Sequence, residues 1–137
     1  MIIELTHAEL THIRNARARI LQGPNWSMDY WAKTANNEYV EPSDPSAVKW
    51  SGDGAMIAEL GLTLDQFLRR NQYTYDVYFE YLDATALSLY HWPLDSINRG
   101  ASPKTRNSKG VPSRSKCHKA VLDVYGVAIT NLENYLK

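Results

Sequence analysis

The chain has 137 residues, of which 44% are hydrophobic and 11% aromatic, with 15 basic residues, 15 acidic residues and one cysteine. This composition excludes a disordered chain and predicts one helical domain, residues 1–137, with an apolar core of its own. The lone cysteine excludes an internal disulfide, and no stretch approaches the roughly 18 apolar residues of a membrane span. We therefore expect a soluble, cytoplasmic protein that does not contact a membrane.

Positive charge is concentrated in residues 99–119, which we call the basic segment. It holds seven of the 15 basic residues, and no Asp or Glu lies between Asp95 and Asp123. The rest of the chain has 8 basic and 15 acidic residues, so the net charges are +7 and −7. Such asymmetry indicates an interaction segment for an anionic partner. The seven residues are Arg99, Lys104, Arg106, Lys109, Arg114, Lys116 and Lys119.

The first predicted element is a helix over residues 7–21. Thr6 and Glu9 form a capping box before its apolar stripe, and Gly23-Pro24 ends it. Alternating aromatic residues between positions 25 and 40, with a turn at Asn36-Asn37, predict a short β-hairpin.

A second helix is predicted from Asp44-Pro45 to about residue 60, because this pair is typical of a helix N-terminus. Gly52 and Gly54 would lie inside it. They indicate either a local break or the close approach of another backbone.

The second half of the chain predicts two longer helical regions. Thr63 and Gln66 form a capping box ahead of an apolar stripe over residues 64–89, with a break around residues 72–74. Residues 98–114 have the composition of a loop, expected to be mobile, and a last helix starts near Ser115. The apolar stripe of this helix, expected to be buried, consists of Val121, Leu122, Tyr125, Ala128, Ile129, Leu132 and Leu136. The predicted fold is mainly α, an irregular bundle of four to five helices with one short β-hairpin.

Three stretches together resemble a known family. They are Trp26, the segment of residues 44–55 with its Pro-x-Ala-Val-x-Trp-x-x-x-Gly-Ala pattern, and Ile97-Asn98 followed by residues 119–129, which end in Ala-Ile. The chain is similar there to an uncharacterised family of small bacterial and phage proteins, a domain of unknown function. It departs from the family at Ser51, where members have Cys, at Arg99, where they have an acidic residue, and in an expanded region at residues 62–92. The resemblance implies a fold and a phage or mobile-element setting, and it implies no mechanism.

The basic segment is the strongest candidate for function. Its Arg and Lys residues alternate with Ser, Thr, Asn and Gly, a mixture that suits charge-assisted hydrogen bonds to phosphates. The alternative is a solvated loop that only balances the acidic remainder. The chain lacks the glycine-rich patterns of nucleoside-triphosphate and dinucleotide sites, which argues against an enzyme of those classes.

A second candidate is a pocket formed by positions that match the family pattern, with close helix packing at Gly52 and Gly54 as the alternative. Its members would be Trp26, Trp50, Asp53, Asn98 and His118. An enzyme hypothesis places a transferase or hydrolase site between the hairpin and the central helix, with Asp53, Asn98, Arg99 and His118 as candidate residues.

The remaining polar and aromatic patterns predict packing. Tyr75 and Tyr78 share the apolar face of their helix and are expected in the core, whereas Tyr73 and Tyr81 should point away from it. A stacking platform of tyrosines, with Tyr90 added, is the alternative. The four histidines and Cys117 lack the spacing of metal ligands, so we predict no metal and no cofactor, and we regard the Cys117-His118 pair as incidental.

Taken together, these patterns predict a non-enzymatic binding protein, encoded by a phage or mobile element. It would engage nucleic acid or a nucleic-acid-handling host complex, for example as an inhibitor of bacterial defence, through residues 99–119. The alternative is the small-molecule enzyme. The oligomeric state is not indicated by the sequence.

Overall fold

A computed structural model describes residues 5–137, which form six α-helices and one two-stranded antiparallel sheet. The mainly α fold with one short pair of strands is therefore confirmed. The helices are α1 (His7–Arg19), α2 (Gly52–Glu59), α3 (Leu64–Leu68), α4 (Asp76–Tyr90), α5 (Leu94–Asn98) and α6 (Arg114–Tyr135), and the strands are β1 (Ala32–Lys33) and β2 (Lys49–Trp50). None of the helices in residues 5–137 has the length and apolar character needed to cross a membrane.

Local capping signals in the sequence predict the helix starts well. Both capping boxes are formed, with Thr6 and Glu9 at α1 and Thr63 and Gln66 at α3. The apolar stripe over residues 64–89 divides into α3 and α4, which are separated by the helical turn Arg70–Gln72. The predicted break is thus present, and it accounts for one of the additional helices. Ser113 caps α6 by accepting a hydrogen bond from the Lys116 N–H, so that helix begins one residue before the predicted start.

The helix predicted from Asp44-Pro45 to residue 60 is wrong in its first half. Asp44 caps a single turn, in which its carboxylate accepts a hydrogen bond from the Ser46 N–H at 2.8 Å. Strand β2 follows, and α2 begins at Gly52 with Ser51 as its N-cap. The Asp-Pro pair is equally compatible with a turn and with a helix start, and only the pairing of β2 decides between them.

The predicted hairpin is present as a short bridge, and β1 gains a further partner that was not predicted. A tight turn lies at Asn36-Asn37, where Asn37 has φ 63°, and beyond it Tyr39 bridges back to Lys33. The two-stranded sheet itself pairs β1 with β2, with Ala32 opposite Trp50 and Lys33 opposite Lys49. The strands therefore pair across 15 intervening residues, a range at which local turn chemistry does not select the register.

Gly52 and Gly54 allow α2 to pack closely against its neighbours, as the alternative interpretation of these glycines held. A Cβ at Gly54 would lie 1.9 Å from the Trp31 carbonyl oxygen, and one at Gly52 would lie 3.0 Å from Val121. The same Trp31 oxygen accepts a hydrogen bond from the Ser51 N–H at 3.1 Å. The start of α2 thus rests directly on the chain that enters β1.

Helix α6 is the central element of the core. It contacts α1, α4 and α5, while α1 also packs on α2. The predicted stripe on α6 is confirmed for its fully buried members, whereas Leu122, Ile129 and Leu136 are only partly buried. Those buried members are Val121, Tyr125, Ala128 and Leu132.

We predict that Gly54→Ala destabilises the protein by about 3 kcal/mol or more, because the new methyl group would have to displace the Trp31 backbone. Gly23→Ala is the matched control, since its added Cβ would meet only the Arg114 side chain, at 4.0 Å. Urea unfolding followed by tryptophan fluorescence measures both variants. Equal stability of the two variants would contradict the close contact.

Candidate functional site

The basic segment is folded against the helical body, so the expectation of a mobile loop is not supported. Ser102 and Thr105 are buried, and Thr105 accepts a backbone hydrogen bond from Ser113 at 2.9 Å. Gly100, with φ +89°, packs so closely that a Cβ there would lie 2.4 Å from the Pro112 side chain. The two ends of the segment are therefore held together, and its charges have defined positions.

All seven basic side chains of the segment lie on exposed residues. Two of them pair with carboxylates, Arg99 with Asp95 at 3.4 Å and Lys119 with Asp123 at 2.9 Å. These are exposed pairs spaced four residues apart on a helical turn, which contribute little to stability.

The other basic residues of the segment contact groups that carry no negative charge. Arg106 Nε donates to the Gly100 carbonyl at 2.7 Å, and Lys116 Nζ donates to the Arg106 carbonyl at 3.1 Å. Lys104 lies over the Tyr90 ring at 5.5 Å. The Lys109 ammonium has no hydrogen-bond or carboxylate partner within residues 5–137.

Arg114 connects the basic segment to the core. Its guanidinium donates to the carbonyls of Gly23 at 3.0 Å and Trp26 at 2.8 Å, and it lies 5.1 Å from the Trp26 ring centroid. His118 also contacts this tryptophan, with its ring stacked on Trp26 at 5.0 Å. His118 Nε2 lies 2.6 Å from the Ile20 carbonyl, so this nitrogen carries the proton and donates.

Asn98 lies at the centre of a buried hydrogen-bond network. Its side-chain oxygen accepts from the Trp26 indole N–H at 2.8 Å and from the Gly52 N–H at 3.0 Å. Its side-chain nitrogen donates to the carbonyls of Ser27 at 3.1 Å and Met28 at 3.0 Å. All the donors and acceptors of this amide are used, which leaves none for a ligand.

The five predicted pocket residues therefore do not line one pocket. Trp26, Asn98 and His118 come together, as the sequence suggested, but they form packed and hydrogen-bonded core. The Trp50 backbone bridges to Trp26, but its indole N–H donates to the Pro42 carbonyl at 2.9 Å. Asp53 lines a separate cavity.

The enzyme hypothesis required Asp53, Asn98, Arg99 and His118 to converge, and they do not. Asn98 is enclosed by its hydrogen bonds, and His118 is engaged by Ile20 and Trp26. Arg99 is exposed at the surface beside Asp95. A transferase or hydrolase site built on these four side chains is therefore not assembled.

Asp53 stands out for its electrostatics. The residue is 6% exposed, and burial raises the pKa of its carboxyl to about 8, with further raising by the neighbouring charges of Asp83 and Asp95. Arg70 and Arg99 act in the opposite direction. A carboxyl group with this pKa is mainly protonated at neutral pH.

The tyrosine series is largely structural. Tyr78 is buried, and Tyr81, which we expected to point away, donates to the Ala128 carbonyl at 2.7 Å. Tyr90 lies 3.3 Å from Asp123 through its hydroxyl. Tyr73 is half-exposed and stacks on Tyr75 at 5.1 Å. The five rings therefore do not form one stacking platform.

Cys117 and His118 serve separate contacts. The buried Cys117 thiol faces the Thr105 carbonyl at 3.6 Å, and burial raises the pKa of this thiol, which disfavours a reactive thiolate. Within residues 5–137, no group of three or more His, Cys, Asp or Glu residues is placed to hold a metal ion.

Two surface grooves that the sequence did not predict border the basic residues. One, of about 640 Å³, is lined by Arg17, Tyr90 and Lys104, and the other, of about 710 Å³, by Arg114 and Lys119. Leu122 lines both, so they adjoin on α6. Arg17 lies on the inner face of α1 and donates to the Leu122 carbonyl at 3.4 Å. Its position four residues after Ile13, in the apolar stripe of α1, is the sequence signal that could have predicted this inward placement.

Comparison of the chain with protein-family models, with curated proteins and with solved structures gave no match. The resemblance described from the sequence therefore stays a prediction.

We predict that Asn98→Ala lowers the free energy of unfolding by roughly 3–5 kcal/mol, because it leaves the buried Trp26 and Gly52 N–H groups without acceptors. Asn25→Ala is the matched control, since the Asn25 side chain makes one exposed hydrogen bond, to the Val48 carbonyl at 3.0 Å. Urea unfolding measures both variants. A loss of similar size in the two variants would show that the Asn98 network does not hold the fold together.

We also predict that Asp53→Asn flattens the dependence of stability on pH. The unfolded Asp53 ionises at about 3.9, and the folded carboxyl at about 8. The folded state therefore binds more protons between these values, and the wild-type protein loses stability as pH rises through this window. Urea unfolding at about pH 5 and about pH 8.5 should show a loss that is smaller in the variant by at least about 1.4 kcal/mol, the equivalent of one pKa unit. Parallel curves for the two proteins would disprove the buried, protonated Asp53.

Proposed function

We propose that this protein is a non-enzymatic binding protein whose basic segment contacts the phosphate backbone of nucleic acid. One observation carries this proposal. Five cations between positions 104 and 116 have no carboxylate partner in the described part of the chain. They are Lys104, Arg106, Lys109, Arg114 and Lys116.

The carbonyl contacts of these cations favour phosphate binding over simple solvation. A hydrogen bond to a carbonyl orients Arg106, Arg114 or Lys116 without cancelling its charge. The positive field is thus held in place before a partner arrives, which lowers the entropy lost on binding. Phosphate oxygens accept charge-assisted hydrogen bonds from such groups.

The absence of aromatic residues from positions 99–119 argues for the backbone of a duplex. Proteins that hold single strands combine cations with aromatic rings on which bases stack. Tyr90, outside the segment, is in contact with Lys104 and Asp123. Binding through phosphates alone is independent of base sequence and strongly dependent on salt.

The acidic remainder of the chain gives the complex its orientation. Residues outside the basic segment carry a net charge of −7, so the other faces of the protein are repelled by a polyanion. Arg17 and Lys104 line one of the adjoining grooves, where the carboxylate of Asp123 is paired with Lys119.

The biological setting forms part of the proposal. The family resemblance supports a phage or mobile-element protein, and a small non-enzymatic nucleic-acid binder would suit an inhibitor of bacterial defence. A host complex that handles nucleic acid is the other partner this setting offers. Such a host complex would be retained by the protein with an intact basic segment and not by a variant in which the cations of the segment are replaced.

The test is the affinity for a labelled duplex DNA, measured by fluorescence anisotropy over a range of salt concentrations. The triple variant Lys104→Ala, Lys109→Ala, Lys116→Ala should weaken binding at least about tenfold and lower the salt slope by about 2 to 3. The control with the same change in charge is Arg14→Ala, Arg69→Ala, Lys137→Ala, whose sites are exposed and outside the segment.

The control variant should retain most of the affinity. Equal losses in the two variants would reduce the effect to net charge, and no salt-sensitive binding to duplex DNA or RNA by the wild-type protein would overturn the proposal. Circular dichroism of each variant checks that the helices are intact.

A further inference from the structure

A small cavity of about 220 Å³ lies between α2, α3, α4 and α5, and shares no lining residue with the two basic grooves. Its walls include two aromatic rings, Trp31 and Phe67. Three carboxylates line it, Asp53 at its buried end and Asp83 and Asp95 nearer the surface. We call it the acidic cavity.

Two buried polar groups at the acidic cavity lack a hydrogen-bond partner. Asp53 is 6% exposed and therefore 94% buried. Its carboxyl nevertheless accepts no hydrogen bond from any donor in residues 5–137. The Trp31 indole nitrogen is buried and has no acceptor. Buried polar groups in folded proteins nearly always have partners, so the unpaired Asp53 carboxyl on the wall of the acidic cavity is available to a ligand.

The carboxyl groups of the acidic cavity outnumber the cations that pair with them. Arg70 lines it, but its guanidinium is already held by Asp76 at 3.4 Å and lies over the Phe67 ring at 4.3 Å. Asp95 pairs with the exposed Arg99. Asp83 accepts only the Leu94 N–H, at 3.0 Å. Neither Asp53 nor Asp83 therefore has a charged partner within the described chain.

We propose that the acidic cavity binds a small organic cation, a protonated amine or guanidinium group that donates hydrogen bonds to Asp53 and Asp83. A volume of about 220 Å³ corresponds to roughly seven water molecules, enough for a cation with a few carbon atoms. Its apolar part would lie against the Trp31 side chain. The carboxylates do not form a group that could hold a metal ion, which favours an organic cation.

Binding should be coupled to the release of a proton. The charged and titratable groups around Asp53 are Asp83 on α4, Asp95 and Arg99 at α5, Arg70 before α4, and Tyr125 on α6, whose own pKa Asp53 helps to raise. Because the pKa of Asp53 lies at about 8, the empty protein holds a proton there at neutral pH. A cation binds the ionised form, so the affinity should rise as pH increases toward 8.

The experiment is an NMR titration of the full chain with ethanolamine and with methylguanidinium, following the tryptophan indole N–H signals. Trp31 should shift saturably, whereas the Trp26 and Trp50 signals, whose N–H groups are hydrogen-bonded within the protein, should not. Ethylene glycol, which is uncharged, and acetate, which is an anion, should have no effect on Trp31.

Two variants complete the test. Asp53→Asn should weaken cation binding about tenfold or more and abolish its pH dependence, because a neutral amide replaces the ionised carboxylate. Glu38→Gln, the same chemical change on an exposed residue, should leave it unchanged. If Asp53→Asn alters the fold, Asp83→Asn is the second variant at the same site. Failure of both cations to shift Trp31 at millimolar concentration, or equal binding by the Asp53 and Glu38 variants, would overturn the proposal.

Discussion

The side-chain amide of Asn98 is the interaction on which the arrangement of the chain depends. It joins the segment after α1, through Trp26, Ser27 and Met28, to the first residue of α2. The Gly52 carbonyl in turn accepts from the Tyr125 hydroxyl of α6 at 2.7 Å, so the network reaches the central helix. Because Trp26, Ser27 and Gly52 are buried, the loss of this amide would leave several buried polar groups unpaired at once, and no single apolar residue could replace it.

The position of the basic segment follows from this network. The segment begins immediately after Asn98, and Arg114, near its other end, binds the carbonyl of Trp26, the residue that also donates to Asn98. Both ends are therefore attached to the same buried tryptophan. A loop anchored in this way would lose little conformational freedom on binding, which supports the proposal that its unpaired cations contact phosphates.

The sequence predicted the features that depend on local chemistry. Capping boxes, the break near residues 72–74 and the stripe on α6 are all encoded within a few residues, and each is present. The pairing of Ala32 with Trp50 explains two differences from the predictions. It makes Lys49–Trp50 a strand, which shortens the helix predicted from Asp44-Pro45, and it gives β1 the additional partner β2. The sequence also grouped Trp26, Asn98 and His118 correctly, but composition cannot distinguish a polar core from a polar pocket. That distinction depends on whether each buried polar side chain has a hydrogen-bond partner within the protein, as the Asn98 amide does and the Asp53 carboxyl does not.

The short helix α5 brings the separate parts of this architecture into contact. Asp95 lines the acidic cavity, Asn98 holds the buried network, and Arg99 opens the basic segment while pairing with Asp95 one turn earlier. Residues four apart lie on the same face of a helix, so Asp95 of the acidic cavity is adjacent to Arg99 of the basic segment. The pair is exposed and contributes little energy, whereas Leu94 and Ile97 on the other face are fully buried. The burial of these two residues thus stabilises the position of α5, so the acidic cavity and the basic segment adjoin a helix that is fixed in the core.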